Sequence, residues 1–367
     1  MSSSAISQQI SIKQMYLCEK LLIGPKLLTA VSSGVFAALF GAFRDKENTP
    51  AMTLRHVMYT VLRTMSNQLS VAQMQYLGPP TDDAYAKFCN AKGLTPSSEM
   101  LEDGTSAHWI GSSSSEKLII NFHGGGYILG APVQSFEFLW QVKETLAKQG
   151  KDVSILFLSY DLAPVAQYPR QLQQAISLLS HTINTLKKRP SNIILTGDSA
   201  GGNLALAVLS HLSHPHNSET VRIPPLQLEE KLRGVQLTSP WVSFDTTTRS
   251  YIYNARKDTL SPISVQRWSK CFIGDSKPDF YNEPLSAPVS WWENIMAEEV
   301  LISASKDEVF VDGIVAFGDK LKSIKREAMV ITTEREPHNP PLLDLIMGNK
   351  EDGETAKLIK AWLNSKF

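Results

Sequence analysis

The sequence predicts an α/β fold, with a mostly parallel central sheet, helices on both faces and a helical cap. Three observations carry this. From residue 117 onward, apolar runs of strand length alternate with longer runs of helical spacing. One strand-to-helix junction reads Thr196-Gly197-Asp198-Ser199-Ala200-Gly201-Gly202-Asn203, a Gly-x-Ser-x-Gly elbow. The alternation breaks once, over 241–297, where Trp268, Phe272, Phe280, Tyr281, Trp291 and Trp292 gather between two core strands. An insertion at the carboxyl end of a strand is where a lid or substrate pocket forms.

The elements follow in order. Residues 1–115 read as a helical lead-in or N-terminal cap, and 116–367 as an α/β catalytic domain carrying a lid insertion at about 241–297. In the lead-in, Leu54, Val57, Met58, Val61, Leu62, Met65 and Leu69 fall near one helical face, and Gly78-Pro79-Pro80 ends the pattern. Strands are expected at Lys117 to Phe122, Val153 to Ser159, Asn192 to Thr196, Gly234 to Thr238, Val300 to Ala304 and Met329 to Thr333. Helices are expected at Gln134 to Gln149, Gln171 to Leu186, after the elbow, at Pro341 to Met347 and at Glu354 to Asn364.

Bulk composition narrows the classes. The 367 residues hold 36 Lys+Arg against 36 Asp+Glu, which gives no basic surface for nucleic acid. The three cysteines, Cys18, Cys89 and Cys271, are scattered, so neither a metal site nor a disulfide framework is expected, and a reducing compartment is favoured. The absence of an Asn-x-Ser/Thr sequon points the same way, toward a cytoplasmic protein or one on the cytoplasmic or endoplasmic-reticulum membrane. Leu27 to Phe43 is free of charge and follows Lys20 and Lys26. It reads either as an apolar helix packed over the active site or, over residues 21–43, as a membrane-associating helix.

The elbow implies nucleophilic chemistry. Gly197 and Gly201 flank Ser199 because strand and helix must approach closely there, and the turn holds the hydroxyl out at the positive end of the new helix. A second motif, His123-Gly124-Gly125-Gly126-Tyr127, follows the strand ending at Phe122. Its glycines free backbone N–H groups to converge on one oxygen, so Gly124 and Gly125, with Ala200, are the candidate oxyanion donors. His123 and Asp198 read as braces for these loops, with Gly126 as loop support. Tyr127 and Trp241 are candidate pocket residues, although aromatics at such positions also build cap cores.

These residues, together with Tyr160-Asp161-Leu162-Ala163-Pro164, Tyr168-Pro169 and Ser239-Pro240-Trp241, resemble the hormone-sensitive-lipase-like α/β-hydrolases. That family includes arylacetamide and steryl acetate deacetylases, and the N-terminal part looks closer to its fungal members. The resemblance implies an eight-stranded α/β-hydrolase core, a cap, and a Ser-Asp-His triad in that chain order. His211, His214 and His216 follow the elbow helix too closely to return to Ser199, so His338, the only later histidine, is the expected general base. Asp307 matches the family's acid in part, because Glu308-Val309 stands where Pro-Leu is usual. Asp312 and Glu308 are the alternatives.

The expected function is therefore hydrolysis of a carboxylic ester through an acyl-enzyme at Ser199, without a metal or cofactor, and the resemblance implies a short acyl group such as acetyl on a small lipophilic molecule. Two alternatives use the same fold: acyl transfer or non-hydrolytic condensation or cyclisation in secondary metabolism, and non-catalytic ligand binding.

Overall fold

Eight strands are present: β1 (Ser98–Met100), β2 (Ser106–Ile110), β3 (Lys117–Phe122), β4 (Val153–Ser159), β5 (Ile193–Asp198), β6 (Gly234–Thr238), β7 (Val300–Ser305) and β8 (Ala328–Thr333). They form one sheet in the order β1-β2-β4-β3-β5-β6-β7-β8. β1 and β2 pair antiparallel, as do β2 and β4, and every later pairing is parallel. The computed structural model describes residues 15–43, 49–50, 52–218, 221–325, 327–349 and 351–367.

β3 to β8 lie where the sequence predicts them. They are nearly continuous apolar runs because a parallel sheet is covered on both faces. Leu118, Ile119, Ile120, Ile155, Leu156, Phe157, Ile194 and Leu195 are all fully buried. One face is covered by Val133–Lys148 and Glu354–Lys366, the other by Arg170–Asn184 and Ala200–Ser213. The stretch expected as a helical lead-in, 1–115, also holds β1 and β2, which belong to the sheet. At three and five residues they are too short to show a period. They are held by cross-strand pairs such as the Trp109 indole N–H to Glu99, 2.9 Å.

The register sets the site. Phe122 is opposite Gly197, Asp198 opposite Thr238 and Ser305 opposite Thr333. The loops leaving β3, β5, β6, β7 and β8 therefore emerge at one end of the sheet, at the carboxyl ends where open α/β sheets place ligands. The 241–297 insertion leaves β6 there and contributes two helices, Arg249–Tyr253 and Pro262–Ile273. At the N-terminal end, helix Ile23–Leu39 packs on helix Thr53–Gln68. Gly34 allows the contact, since a Cβ there would meet Val61 Cγ2 at 2.5 Å.

Candidate active site

The elbow is sterically demanding. Ser199 has φ 54° and ψ −116°, a conformation that costs an L-residue roughly 1–3 kcal/mol. Two hydrogen bonds enforce it: the Ser199 amide donates to Thr238 O and its carbonyl accepts from the Trp241 amide, both at 2.9 Å. A Cβ on Gly197 would lie 2.3 Å from Gly201 O, and one on Gly201 only 1.9 Å from Phe122 O. The glycines are therefore dictated by backbone-to-backbone approach. Ser199 is buried, and its helix, Ala200–Ser213, opens directly beneath it.

His338 follows β8 on a loop and is buried. Its Nδ1 is 2.9 Å from Glu308 Oε2. A carboxylate can only accept here, so the proton sits on Nδ1 and Nε2 carries the lone pair. Among the described residues Nε2 has no hydrogen-bond partner. The ring of Phe310 packs edge-on against the imidazole, with centroids 4.9 Å apart. Burial alone would lower the His338 pKa, but the Glu308 bond and charge, with the charges of Asp258 and Asp198, raise it above the ordinary value.

The acid expected at 307 is corrected by this geometry. Asp307 points away, with its Oδ1 3.3 Å from Lys257 Nζ, and makes no hydrogen bond to His338 among the described residues. Asp312 instead caps the insertion, accepting the Ser250 amide at 2.8 Å. Glu308 is fully buried, and its Oε1 accepts from the Ser305 amide at 2.7 Å and from Ser239 Oγ at 3.1 Å. Adjacent residues on this loop thus take different partners, Lys257 for Asp307 and the imidazole for Glu308. Val309 and Phe310, which follow Glu308, are buried as well.

The glycine loop also departs from expectation at one position. The Gly124 amide donates to Asp198 Oδ1 at 3.0 Å, so it is not available to a substrate. The next amides, Gly125 and Gly126, have no acceptor among the described residues, nor does Ala200 at the first position of its helix. The available donor set is thus Gly125, Gly126 and Ala200. Gly124 is still required to be glycine, since a Cβ would fall 2.2 Å from Asp198 Oδ2. Gly126, at φ 61°, is overhung by the Trp268 ring of the insertion, 2.7 Å from where a Cβ would sit. From the sequence, Trp268 is only one of several insertion aromatics that could line a pocket.

Asp198 ties three loops together, because its other oxygen accepts from Asn339 Nδ2 at 2.5 Å, next to His338. Burial raises its pKa to about 6, against the opposing Gly124 and Asn339 hydrogen bonds. His123 is fully buried, stacked on Tyr160 at 4.1 Å, with Nδ1 2.7 Å from Gly124 O. Burial pushes its pKa down to about 4, so it is neutral and braces the loop.

The two expected pocket residues are core. Tyr127 is 1 % exposed, stacked on Phe272 at 3.7 Å, with its hydroxyl donating to Asn203 Oδ1 at 2.7 Å. Trp241 is also 1 % exposed, between Phe244 and Phe310. Neither presents a face to a ligand. No group of His, Cys, Asp and Glu among the described residues is arranged to hold a metal.

Comparison with known proteins agrees with this architecture. A family model described as α/β-hydrolase fold matches residues 119–341. Steryl acetyl hydrolase 1 of Saccharomyces cerevisiae is 25 % identical over 211 residues, 53 % of this chain and 46 % of the yeast protein. An esterase of Gibberella moniliformis is 26 % identical over 251 residues, covering 66 % and 71 % of the two chains. Human arylacetamide deacetylase-like 2 is 30 % identical over 133 residues, 32 % of each chain. The chain spans about half the length of the yeast protein and of a putative steryl acetyl hydrolase of Schizosaccharomyces pombe, 46 % and 56 %. Among solved structures, a hormone-sensitive lipase from a metagenome library superposes with TM-score 0.66 at 18 % identity, covering 85 % of this chain and 99 % of that one.

Proposed function

This chain belongs to the α/β-hydrolase-fold family, and from that premise we propose that it is a serine carboxylesterase acting through an acyl-enzyme at Ser199. The observation that carries this is the 2.9 Å Glu308–His338 bond at the sheet end where the strained Ser199 emerges. His338 Nε2 takes the Ser199 proton as Oγ attacks the ester carbonyl. Glu308 stabilises the resulting imidazolium, and the Gly125, Gly126 and Ala200 amides receive the oxyanion. His338 then protonates the leaving alcohol, and water, activated by the same nitrogen, releases the acid.

The substrate class is a short-chain, acetyl-type ester of a lipophilic alcohol. The relatives named for steryl acetyl hydrolysis and arylacetamide deacetylation support it, as does the aromatic insertion over the glycine loop. Turnover of p-nitrophenyl acetate, butyrate and octanoate tests it. The expected order of kcat/KM is acetate above butyrate above octanoate. An absence of turnover on all three would contradict the esterase reading, and a reversed order would contradict the acyl preference.

We further propose that helix Ile23–Leu39 rests on a lipid surface. An 18-residue window within Leu17–Leu39 has mean hydropathy 1.5, yet only 22 % of it is buried. Ile23, Ala30, Gly34 and Ala37 face the protein, and Ser33 Oγ is 3.0 Å from Thr64 Oγ1. Leu28, Val31, Val35, Phe36 and Leu39 are 52–70 % exposed on the opposite side. A helix with one face on the cap and one apolar face outward suits the membrane interface better than a span. Val31→Lys with Val35→Lys is expected to abolish most co-flotation of the full chain with phosphatidylcholine–phosphatidylserine vesicles while p-nitrophenyl acetate turnover is kept. Undiminished flotation would contradict it.

A further inference from the structure

The lid insertion contains a carboxylate that the mechanism above does not use. Asp258 lies between the two insertion helices and is fully buried. Its Oδ1 accepts the backbone N–H of His338 at 3.1 Å and that of Thr259 at 2.6 Å. Its Oδ2 accepts the N–H of Val309, the residue after Glu308, at 2.7 Å. One carboxylate thus holds the backbone of the general base and of its acid partner, on loops that leave two different strands. Asn254, one turn earlier, reinforces the acid side, donating through Nδ2 to Lys306 O and Glu308 O at 2.8 Å each.

The Asp258 segment is itself held from the N-terminal cap. Arg63, on helix Thr53–Gln68, donates through Nη1 to the Asp258 carbonyl. Two free N–H groups left buried on catalytic loops would each cost roughly 1–3 kcal/mol, so a third element must supply acceptors for them. An asparagine cannot replace the carboxylate, since its NH2 would confront one of the N–H groups that now donate.

We propose that Asp258 is a positioning residue of the triad. It fixes the spacing of Glu308 and His338, and it makes the insertion and the N-terminal cap part of the catalytic framework rather than a substrate cover alone. The proposal rests on the assignment of Glu308 and His338 as acid and base. A displacement of about 1 Å in such a constellation costs on the order of 100-fold in rate.

The charge of Asp258 also faces His338, together with those of Glu308 and Asp198. Arg63 and Tyr59 from helix Thr53–Gln68, Tyr251 from the first insertion helix, and Asp307 also lie within its field. Losing the Asp258 charge, with the others unchanged, lowers the His338 pKa.

The test is Asp258→Asn in the full chain, assayed with p-nitrophenyl acetate across pH. The expected result is a fall of about 100-fold in kcat with KM changed less than about threefold, and an acid limb of kcat/KM moved to lower pH. A kcat within threefold of wild type, or an unmoved limb, would overturn the proposal. A second readout needs no variant. In the wild-type protein, amide hydrogen exchange at His338 and Val309 is expected in the slowest class, with the β5 and β7 core, despite their loop positions. Rapid exchange at either would also overturn it, even if the variant does not fold. Should Glu308→Gln leave activity intact, the acid assignment fails first, and slow exchange at both amides would still distinguish that outcome from failure of the Asp258 framework.

Discussion

Ser199→Ala is expected to lower kcat for p-nitrophenyl acetate on the order of a million-fold and to abolish labelling by a fluorophosphonate. Once the nucleophile is gone, His338 has no hydroxyl to activate, so its removal as well should cost little more. The strained backbone adds a stability consequence. The φ of 54° and ψ of −116° at Ser199 are easier for glycine. Ser199→Gly should therefore be inactive yet more stable than Ser199→Ala by about 1 kcal/mol or more. Equal melting temperatures for the two variants would contradict the strain. Residual activity above about one part in a thousand, beyond what the oxyanion donors alone supply, would contradict the nucleophile.

The second large effect separates neighbours in sequence. Glu308→Gln is expected to reduce kcat by about 10³–10⁴, because the neutral amide neither fixes the Nδ1–H tautomer nor stabilises the imidazolium. Asp307→Asn is expected to stay within about threefold, since Asp307 bears on Lys257 at 3.3 Å and not on the imidazole. The pH profile gives an independent sign. His338 must be neutral to accept the proton, and its pKa lies above the ordinary value, largely through Glu308 opposing the effect of burial. Removing that carboxylate should shift the acid limb of kcat/KM to lower pH. The linkage to stability runs the same way. A histidine whose folded pKa is raised contributes stability fully present below about 6.5 and lost as pH rises through the folded value. An inactive Asp307→Asn beside an active Glu308→Gln would reverse the assignment.

Much of this was legible because the fold obeys local rules. Strands buried on both faces announce themselves as apolar runs, and the glycines at 197 and 201 are fixed by approaches of 2.3 and 1.9 Å that no other residue tolerates. His338 was expected because no other histidine could return to Ser199, and its imidazole meets Glu308 at 2.9 Å. What the sequence concealed depends on direction rather than identity. Asp307 and Glu308 are adjacent acids that take different partners, and one position in register decides which meets the imidazole. The amides of Gly124 and Gly125 are chemically alike, and only the Asp198 carboxylate, 3.0 Å from the first, distinguishes them. β1 and β2 were hidden by their shortness. Tyr127 and Trp241 have the chemistry of pocket residues but are consumed by packing, whereas Trp268, far along the chain, reaches the glycine loop through the insertion.

The central proposal is a covalent acyl-enzyme at Ser199. Acid-quench of wild-type protein during the first turnovers with p-nitrophenyl acetate, followed by peptide mass mapping, measures it directly. The expected result is a single acetyl group on the peptide carrying Ser199, absent from Ser199→Ala. Continued turnover with no acetylated Ser199 peptide, or acetylation elsewhere that persists in Ser199→Ala, would contradict it.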